Sequence, residues 1–147
     1  MAIDEPVLID TGPLIALLNA KDDDHERGME VFDILPIGKA YTCWPVLTEA
    51  VYLAMSRLKL ASPNELFNTI VQHELVLMPL ALDDLPSIQS VFRKYHDQHV
   101  DLADAAIVHL ADRENIGTIF TTDRRHFRVY QRANGNPFRL LPDDFAP

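Results

Sequence analysis

Short apolar runs alternate with longer amphipathic stretches along the whole chain. Four of the runs have the length and composition of buried strands: "PVLID", "KAYTC", "LVLMPL" and "GTIFTT". The stretches that follow show apolar residues at helical spacing, as in "TGPLIALL", "DDDHERGMEVFDIL", "PVLTEAVYLAMSRL", "SPNELFNTIVQHE", "LDDLPSIQSVFRKYHDQH" and "LADAAIVHLAD". This alternation predicts an α/β protein with a central parallel sheet covered by helices on both faces. Two weaker strand candidates near the C-terminal end are "HFRVY" and "FRLL".

Length and composition limit the class of protein. A chain of 147 residues can bury a full core, and we expect a single domain over residues 1–147. No apolar run reaches the roughly 18 residues of a membrane span, and "MAIDEPVLID" carries acids where a signal peptide would carry Lys or Arg. We therefore expect a cytoplasmic protein. Cys43 is the only cysteine, which excludes an internal disulfide, and we expect it to be buried in the core. We also expect Trp44 to pack in the core, with a position at an interface as the alternative.

The charge balance argues against broad binding to nucleic acid. The formal net charge is −9, from 13 Lys and Arg against 22 Asp and Glu. Nonspecific binding to nucleic acid depends on basic side chains that neutralise phosphates. The basic residues are nevertheless concentrated in the last third of the chain: Arg93, Lys94, Arg113, Arg124, Arg125, Arg128, Arg132 and Arg139. The sequence is therefore compatible with a local basic surface on an otherwise acidic protein.

Several acidic residues lie beside apolar runs, where a carboxylate is costly. Asp10 ends the first predicted strand and Asp123 follows the fourth, so both are expected at the same edge of a parallel sheet. Glu49 is embedded in an apolar helix. Asp101 and Asp104 lie three positions apart near the start of another, where two like charges repel and burial of either costs several kcal/mol.

A hard divalent cation would explain such a cluster. Mg²⁺ and Mn²⁺ prefer oxygen ligands, and their charge offsets the repulsion between carboxylates. A metal of this kind also polarises a phosphoryl oxygen and acidifies water, which is the chemistry of phosphodiester hydrolysis. Each acid taken singly has another interpretation, because Asp10 could cap the following helix and Asp123 could be a turn residue.

Four motifs in this order resemble the PIN-domain ribonucleases, whose small bacterial members include the VapC toxins. They are "VLIDTGPLIALL", "PVLTEAVYLA", "DLADAAIVHLA" and "IFTTDRRHF", and the resemblance runs from about Val7 to Phe127. It implies a three-layer PIN-like fold with a central parallel sheet. It also implies an endoribonuclease that depends on Mg²⁺ or Mn²⁺ and leaves a 5′-phosphate and a 3′-hydroxyl.

The resemblance assigns roles to individual residues. The acids that hold the metal and carry the reaction match Asp10, Glu49, Asp104 and Asp123. Asp101 matches an accessory acid that only part of the family has, and Thr11 and Thr121 match small hydroxyl residues that support the outer acids. From their position after the fourth acid, we expect Arg124 and Arg125 to lie near the RNA backbone, with an exposed solvated face as the alternative.

The resemblance also implies partners. An RNA substrate is expected, together with an antitoxin protein whose C-terminal segment covers the acidic site and places an Arg among the carboxylates. The apolar residues of "SPNELFNTIV" indicate a homodimer.

Other functions fit the sequence less well. "IDTG" is also the aspartic-protease signature, but those enzymes are built of β-strands and a helix is predicted here. A haloacid-dehalogenase-like phosphatase needs a second Asp where this chain has Gly12. The serious alternative is a PIN-fold binding or scaffold module with little nuclease activity. The presence of every acid of the pattern favours the enzyme.

Overall fold

The protein folds around one parallel five-stranded sheet. The computed structural model describes residues 3–21, 25–35, 37–60 and 62–142. Its strands are β1 (Val7–Ile9), β2 (Ala40–Cys43), β3 (Val76–Met78), β4 (Thr118–Phe120) and β5 (Arg139–Leu141). They lie in the order β3-β2-β1-β4-β5, and each neighbouring pair is parallel. The predicted α/β architecture, including the weaker strand candidate "FRLL", is confirmed.

Helices connect the strands. They are α1 (Thr11–Leu18), α2 (His25–Ile34), α3 (Trp44–Ser56), α4 (Asn64–Val71), α5 (Leu85–Lys94), α6 (Leu102–Glu114) and α7 (Arg124–Val129), with a short 3₁₀ turn at Leu82–Asp84. Local signals in the sequence account for several starts. Pro13 lies in the first turn of α1, and the Ser62 hydroxyl accepts a 3.1 Å hydrogen bond from the Asn64 N–H where α4 begins. The acids 22–24, predicted at the start of α2, lie outside the described residues.

The central strands are buried on both faces, as a sheet between two helical layers requires. Every residue of β1 and β4 is buried. Cys43 is buried as predicted, and burial raises the pKa of its thiol to about 11. The prediction that Trp44 packs in the core is wrong, because its side chain is 59 % exposed. The buried face of α3 is formed by Val46, Leu47 and Ala50, and Trp44 lies on the other side of the helix.

The weak strand candidate "HFRVY" is also wrong, since residues 126–129 belong to α7 and Tyr130 is the C-cap of that helix. The Asp123 carboxylate caps the helix by accepting a hydrogen bond from the His126 N–H. Phe127 and Tyr130 are both fully buried. Phe127 lies in the helix and Tyr130 is its C-cap. In a strand, two residues three positions apart would point to opposite faces.

The order of the strands creates a crevice beside β1. Connections from β1 lead outward through β2 to β3, and the chain then returns to the other side of β1 to form β4 and β5. In open α/β sheets, ligands bind at the carboxyl ends of the strands where the order reverses in this way. Within the part of the chain that the structure describes, no helix has the length and apolar character to cross a membrane.

Candidate functional site

The first acid lies at the carboxyl end of β1, beside β4. Asp10 is only 5 % exposed, and its backbone N–H donates to the Phe120 carbonyl at 2.9 Å. The Thr121 hydroxyl donates to Oδ2 of Asp10 at 2.8 Å and accepts a hydrogen bond from the Asp123 N–H at 2.9 Å. Thr121 therefore fixes the Asp10 side chain and the loop that carries Asp123 relative to each other.

The second acid is brought in by α3. The half-buried Glu49 accepts a 2.8 Å hydrogen bond at Oε2 from the Thr11 hydroxyl at the start of α1. The adjacent Gly12 allows α1 to begin close to the loop after β4, because a Cβ atom on Gly12 would lie 1.9 Å from Oγ1 of Thr122. Thr11 and Gly12 thus set the distance between α1, α3 and the end of β4.

The third acid lies in the first turn of α6. Asp104 is 6 % exposed and accepts a 2.8 Å hydrogen bond at Oδ2 from the hydroxyl of the fully buried Tyr130. Asp101 is the N-cap of α6, where its Oδ1 accepts from the Asp104 N–H at 2.8 Å. Capping therefore explains the position of Asp101 in the sequence, while Asp104 is left as a buried carboxylate.

The fourth acid is joined to a histidine. Asp123 accepts a 2.7 Å hydrogen bond at Oδ2 from Nδ1 of His126. The His126 ring stacks on Tyr130, with an interplanar angle of 11°. One ligand atom each of Asp104, Asp123 and His126 lie within 4.8 Å of one another. The predicted acids from β1, α3, α6 and the loop after β4 are therefore brought to one edge of the sheet.

The carboxylates hold their protons unusually tightly. Burial raises the pKa of Asp10 to about 6. Hydrogen bonds from the Thr11 backbone and the Thr121 hydroxyl lower this pKa, whereas the negative charges of Glu49 and Asp123 raise it. Burial also raises the pKa of Asp104 to about 7, with further contributions from Asp10 and Asp101. The pKa of Glu49 is raised as well, mainly by desolvation. The Asp123 carboxylate in turn raises the pKa of His126 through their hydrogen bond. A bound cation would relieve the remaining repulsion among the buried acids.

The two predicted RNA-contacting arginines lie in different surroundings. Arg125 is exposed and, with Gln98, His99 and His126, lines a depression of about 500 Å³ beside Asp123. The guanidinium of Arg124 lies against β5, where one nitrogen donates to the Leu140 carbonyl at 3.5 Å. The structure thus places Arg125 on the open surface next to the acids and directs Arg124 toward the sheet.

Most of the chain matches a known domain. A sequence model of the PIN domain matches residues 7–132. The chain belongs to the PIN-domain family. The match begins at β1 and ends after α7, so it includes every acid described above.

Two proteins from Mycobacterium tuberculosis are similar to this PIN domain, one in sequence and one in fold. Ribonuclease VapC26 of strain ATCC 25618 / H37Rv is 29 % identical over 136 residues, which cover 92 % of this chain and all of that protein. The crystal structure of VapC20, described as a sarcin–ricin loop cleaving toxin, superposes with a TM-score of 0.74 at 16 % identity. The superposition covers 82 % of this chain and 92 % of that one. VapC20 therefore shares the fold of this PIN domain.

Sequence reasoning about this PIN domain missed Tyr130 and His126. The three-residue spacing from Asp123 to His126 indicates a contact only if α7 is predicted as a helix, and that segment was predicted as a weak strand. No feature of the sequence alone connects Tyr130 with Asp104, which lies 26 positions earlier.

Proposed function

We propose that this PIN domain is a Mg²⁺- or Mn²⁺-dependent endoribonuclease and the toxin of a toxin–antitoxin pair. The observation that carries the proposal is the convergence of Asp10, Glu49, Asp104 and Asp123 at one sheet edge, with raised pKa values for the first three. Family membership and the ribonuclease and toxin named among its relatives support the same activity.

The donor set fits a hard divalent cation. Carboxylate oxygens predominate, and a ring nitrogen of His126 lies within 4.8 Å of the ligand atoms of Asp104 and Asp123. Because Nδ1 of His126 donates to Asp123, the histidine serves first to orient that carboxylate. The Tyr130 hydroxyl donates a hydrogen bond to one oxygen of Asp104, and the Thr11 hydroxyl donates a hydrogen bond to one oxygen of Glu49. Among the described residues, no hydrogen bond is made to the second oxygen of either carboxylate. Those second oxygens remain for a metal.

In this proposal, the four acids hold the cation and the hydroxyl residues orient them. Thr121 fixes Asp10, Thr11 fixes Glu49, and Tyr130 fixes Asp104. Asp101 uses one oxygen to cap α6, so only its second oxygen can serve as an accessory ligand. When bound, the cation supplies charge that stabilises the phosphoryl oxygens and makes water more acidic. A water oxygen would bond to phosphorus as the bond to the 3′-oxygen breaks. The 3′-oxygen would take up the proton that the water gives up, which leaves a 5′-phosphate and a 3′-hydroxyl.

The remaining partners follow from the surface around the site. Arg125 is exposed beside Asp123 and is proposed to contact the RNA backbone. Arg124 is proposed to support the same RNA backbone from the side of β5. We also propose an antitoxin segment that places an Arg among the carboxylates, since a guanidinium pairs well with carboxylate groups. A homodimer through α4 is proposed from its exposed Phe67 and Val71.

Cleavage of a mixed total-RNA sample tests the proposal. Purified protein is incubated with Mn²⁺, with Mg²⁺ and with EDTA, beside the Asp104→Asn variant. The matched control is Asp83→Asn, which changes the charge equally at an exposed position in the 3₁₀ turn. Wild type and Asp83→Asn should cut in either metal, whereas EDTA and Asp104→Asn should abolish cutting. Calorimetric titration with Mn²⁺ is run in parallel.

The two measurements separate the alternatives. Protein that binds Mn²⁺ and leaves every RNA intact would support the binding-module alternative. Protein that neither binds metal nor cuts would show that the acidic cluster is not a metal site.

A further inference from the structure

An apolar groove lies directly beside the carboxylate cluster. Its volume is about 580 Å³, and it is lined by Trp44, Pro45 and Tyr52 of α3 and by Leu102 at the start of α6. Glu49 and Asp101 also belong to its wall. The groove is therefore continuous with the proposed catalytic site, since Glu49 belongs to both.

Two aromatic rings that line the groove are exposed and do not belong to the hydrophobic core. Trp44 is 59 % exposed, Tyr52 is 65 % exposed, and the two lie eight positions apart on one side of α3. The opposite side of α3 packs into the core. Because large apolar side chains at a surface lose the free energy of burial, adjacent exposed rings next to a site indicate a ligand with a flat apolar face.

We propose that this groove binds an unpaired nucleobase of the RNA substrate, next to the phosphate that is cut. The inference rests on the proposed ribonuclease function. A phosphodiester joins two nucleosides, so a phosphate at the carboxylates has one nucleoside on the side of the groove. Aromatic side chains bind unpaired bases by stacking, and a base inside a duplex cannot offer both of its faces.

Charge distribution favours a base over the phosphate backbone at this position. The polar groups of the groove wall include the carboxylates of Glu49 and Asp101, which repel phosphate. The second depression is lined by Arg125, His99 and His126 together with Asp97, so it has basic groups that the lining of the groove lacks. A strand that crosses the site can therefore place its backbone against Arg125 and one base against Trp44 and Tyr52.

A second protein copy is a less suitable occupant. The exposed apolar residues of α4, Phe67 and Val71, do not line the groove. A surface for a second copy is thus available away from the site, whereas the groove opens beside Glu49.

Trp44 provides a direct probe, because it is the only tryptophan of the chain. Its fluorescence is recorded while a short single-stranded RNA is added to the full-length protein. Ca²⁺ replaces Mn²⁺ in the titration, since Ca²⁺ also takes carboxylate oxygens. The matched ligands are the same RNA as a duplex and inorganic polyphosphate, which has the charge without bases. Single-stranded RNA should quench Trp44 saturably, and the other two should not.

Substitutions at Tyr52 then separate stacking from general packing. Tyr52→Leu should raise the KM for RNA cleavage in Mn²⁺ roughly 10-fold or more and leave kcat within about 2-fold, as expected for one lost stacking contact. Tyr52→Phe keeps the ring and should restore the KM. The oligomeric state of each variant is measured by analytical ultracentrifugation.

The outcomes distinguish this inference from the proposed function. Metal-dependent RNA cleavage without quenching of Trp44, or equal quenching by polyphosphate, would overturn the base site and leave the nuclease intact. A change of oligomeric state in Tyr52→Leu with unchanged KM would assign the groove to a protein interface. Absence of both cleavage and RNA binding would overturn the proposed function itself.

Discussion

Replacing Asp104 with asparagine removes a buried negative charge and keeps the acceptor for the Tyr130 hydroxyl. The carboxyl is 6 % exposed, and its pKa is raised by burial and by the charges of Asp10 and Asp101. Without a cation, ionisation of Asp104 therefore opposes folding. We expect Asp104→Asn to be more stable than wild type in EDTA at alkaline pH, although it loses activity.

The size of the effect follows from the pKa of Asp104. That pKa rises from 3.8 in the unfolded chain to about 7 in the folded protein, so the carboxyl favours folding fully below pH 3.8 and this contribution is lost as the pH rises through 7. At 1.36 kcal/mol per pKa unit, the free energy of unfolding above pH 8 is lower by ~4 kcal/mol than at acidic pH, where Asp104 is protonated in both states. At pH 5 the same relation lowers the free energy of unfolding by less than ~2 kcal/mol. The advantage of the asparagine variant should therefore grow with pH.

Urea unfolding measures this difference. Wild type, Asp104→Asn and the control Asp83→Asn are unfolded in EDTA at pH 5 and at pH 8.5, and their free energies of unfolding are compared. The series is repeated with Mn²⁺ at pH 8.5. The metal should stabilise wild type and Asp83→Asn through binding to the folded state and should have a much smaller effect on Asp104→Asn.

Two results would refute the reasoning. If Asp104→Asn is less stable than wild type in EDTA at pH 8.5, the buried carboxylate is not a source of instability. If the difference between the two proteins is the same at both pH values, ionisation of Asp104 is not its cause.

Three further substitutions test the supporting contacts. Tyr130→Phe removes the 2.8 Å hydrogen bond to Asp104 and should weaken Mn²⁺ binding roughly 10- to 100-fold in calorimetric titration, with near-native circular dichroism; unchanged affinity would show that the hydroxyl does not orient Asp104. Gly12→Ala places a methyl group within 1.9 Å of Oγ1 of Thr122 and should cost ~1–3 kcal/mol in urea unfolding, which a fully stable variant would contradict. Asp101→Ala should lower the melting temperature through loss of about 1 kcal/mol of capping energy, whereas Asp101→Asn keeps the cap; a loss of Mn²⁺ affinity in both variants would assign a ligand role to Asp101.

The strands and the acids at their ends were the predictable part of this molecule. An apolar run such as "PVLID" buries both faces of a strand, and the parallel arrangement then requires Asp10 and the loop after β4 to lie at one edge. Glu49 could be singled out because a carboxylate inside an apolar helix calls for an explanation.

The parts that could not be predicted depend on short segments and on tertiary contacts. The segment of α7 is six residues long, too short for periodicity to distinguish a helix from a strand, so Tyr130 and His126 were missed. The position of the Trp44 side chain could not be predicted, since only the orientation of α3 shows which side of the helix packs into the core. The capping role of Asp101 became visible once the first residue of α6 was known.

The Thr121–Asp10 hydrogen bond joins residues 111 positions apart, and this separation affects when the site can exist during synthesis. Translation proceeds from the N-terminus at about 5–20 residues per second, so a chain of 147 residues takes roughly 7–30 s to complete. During most of that time Asp10 is already synthesised while β4, Thr121 and Asp123 are not. Until residues 118–123 have been synthesised, the nascent chain on the ribosome therefore lacks the assembled carboxylates, and an activity that depends on them cannot begin.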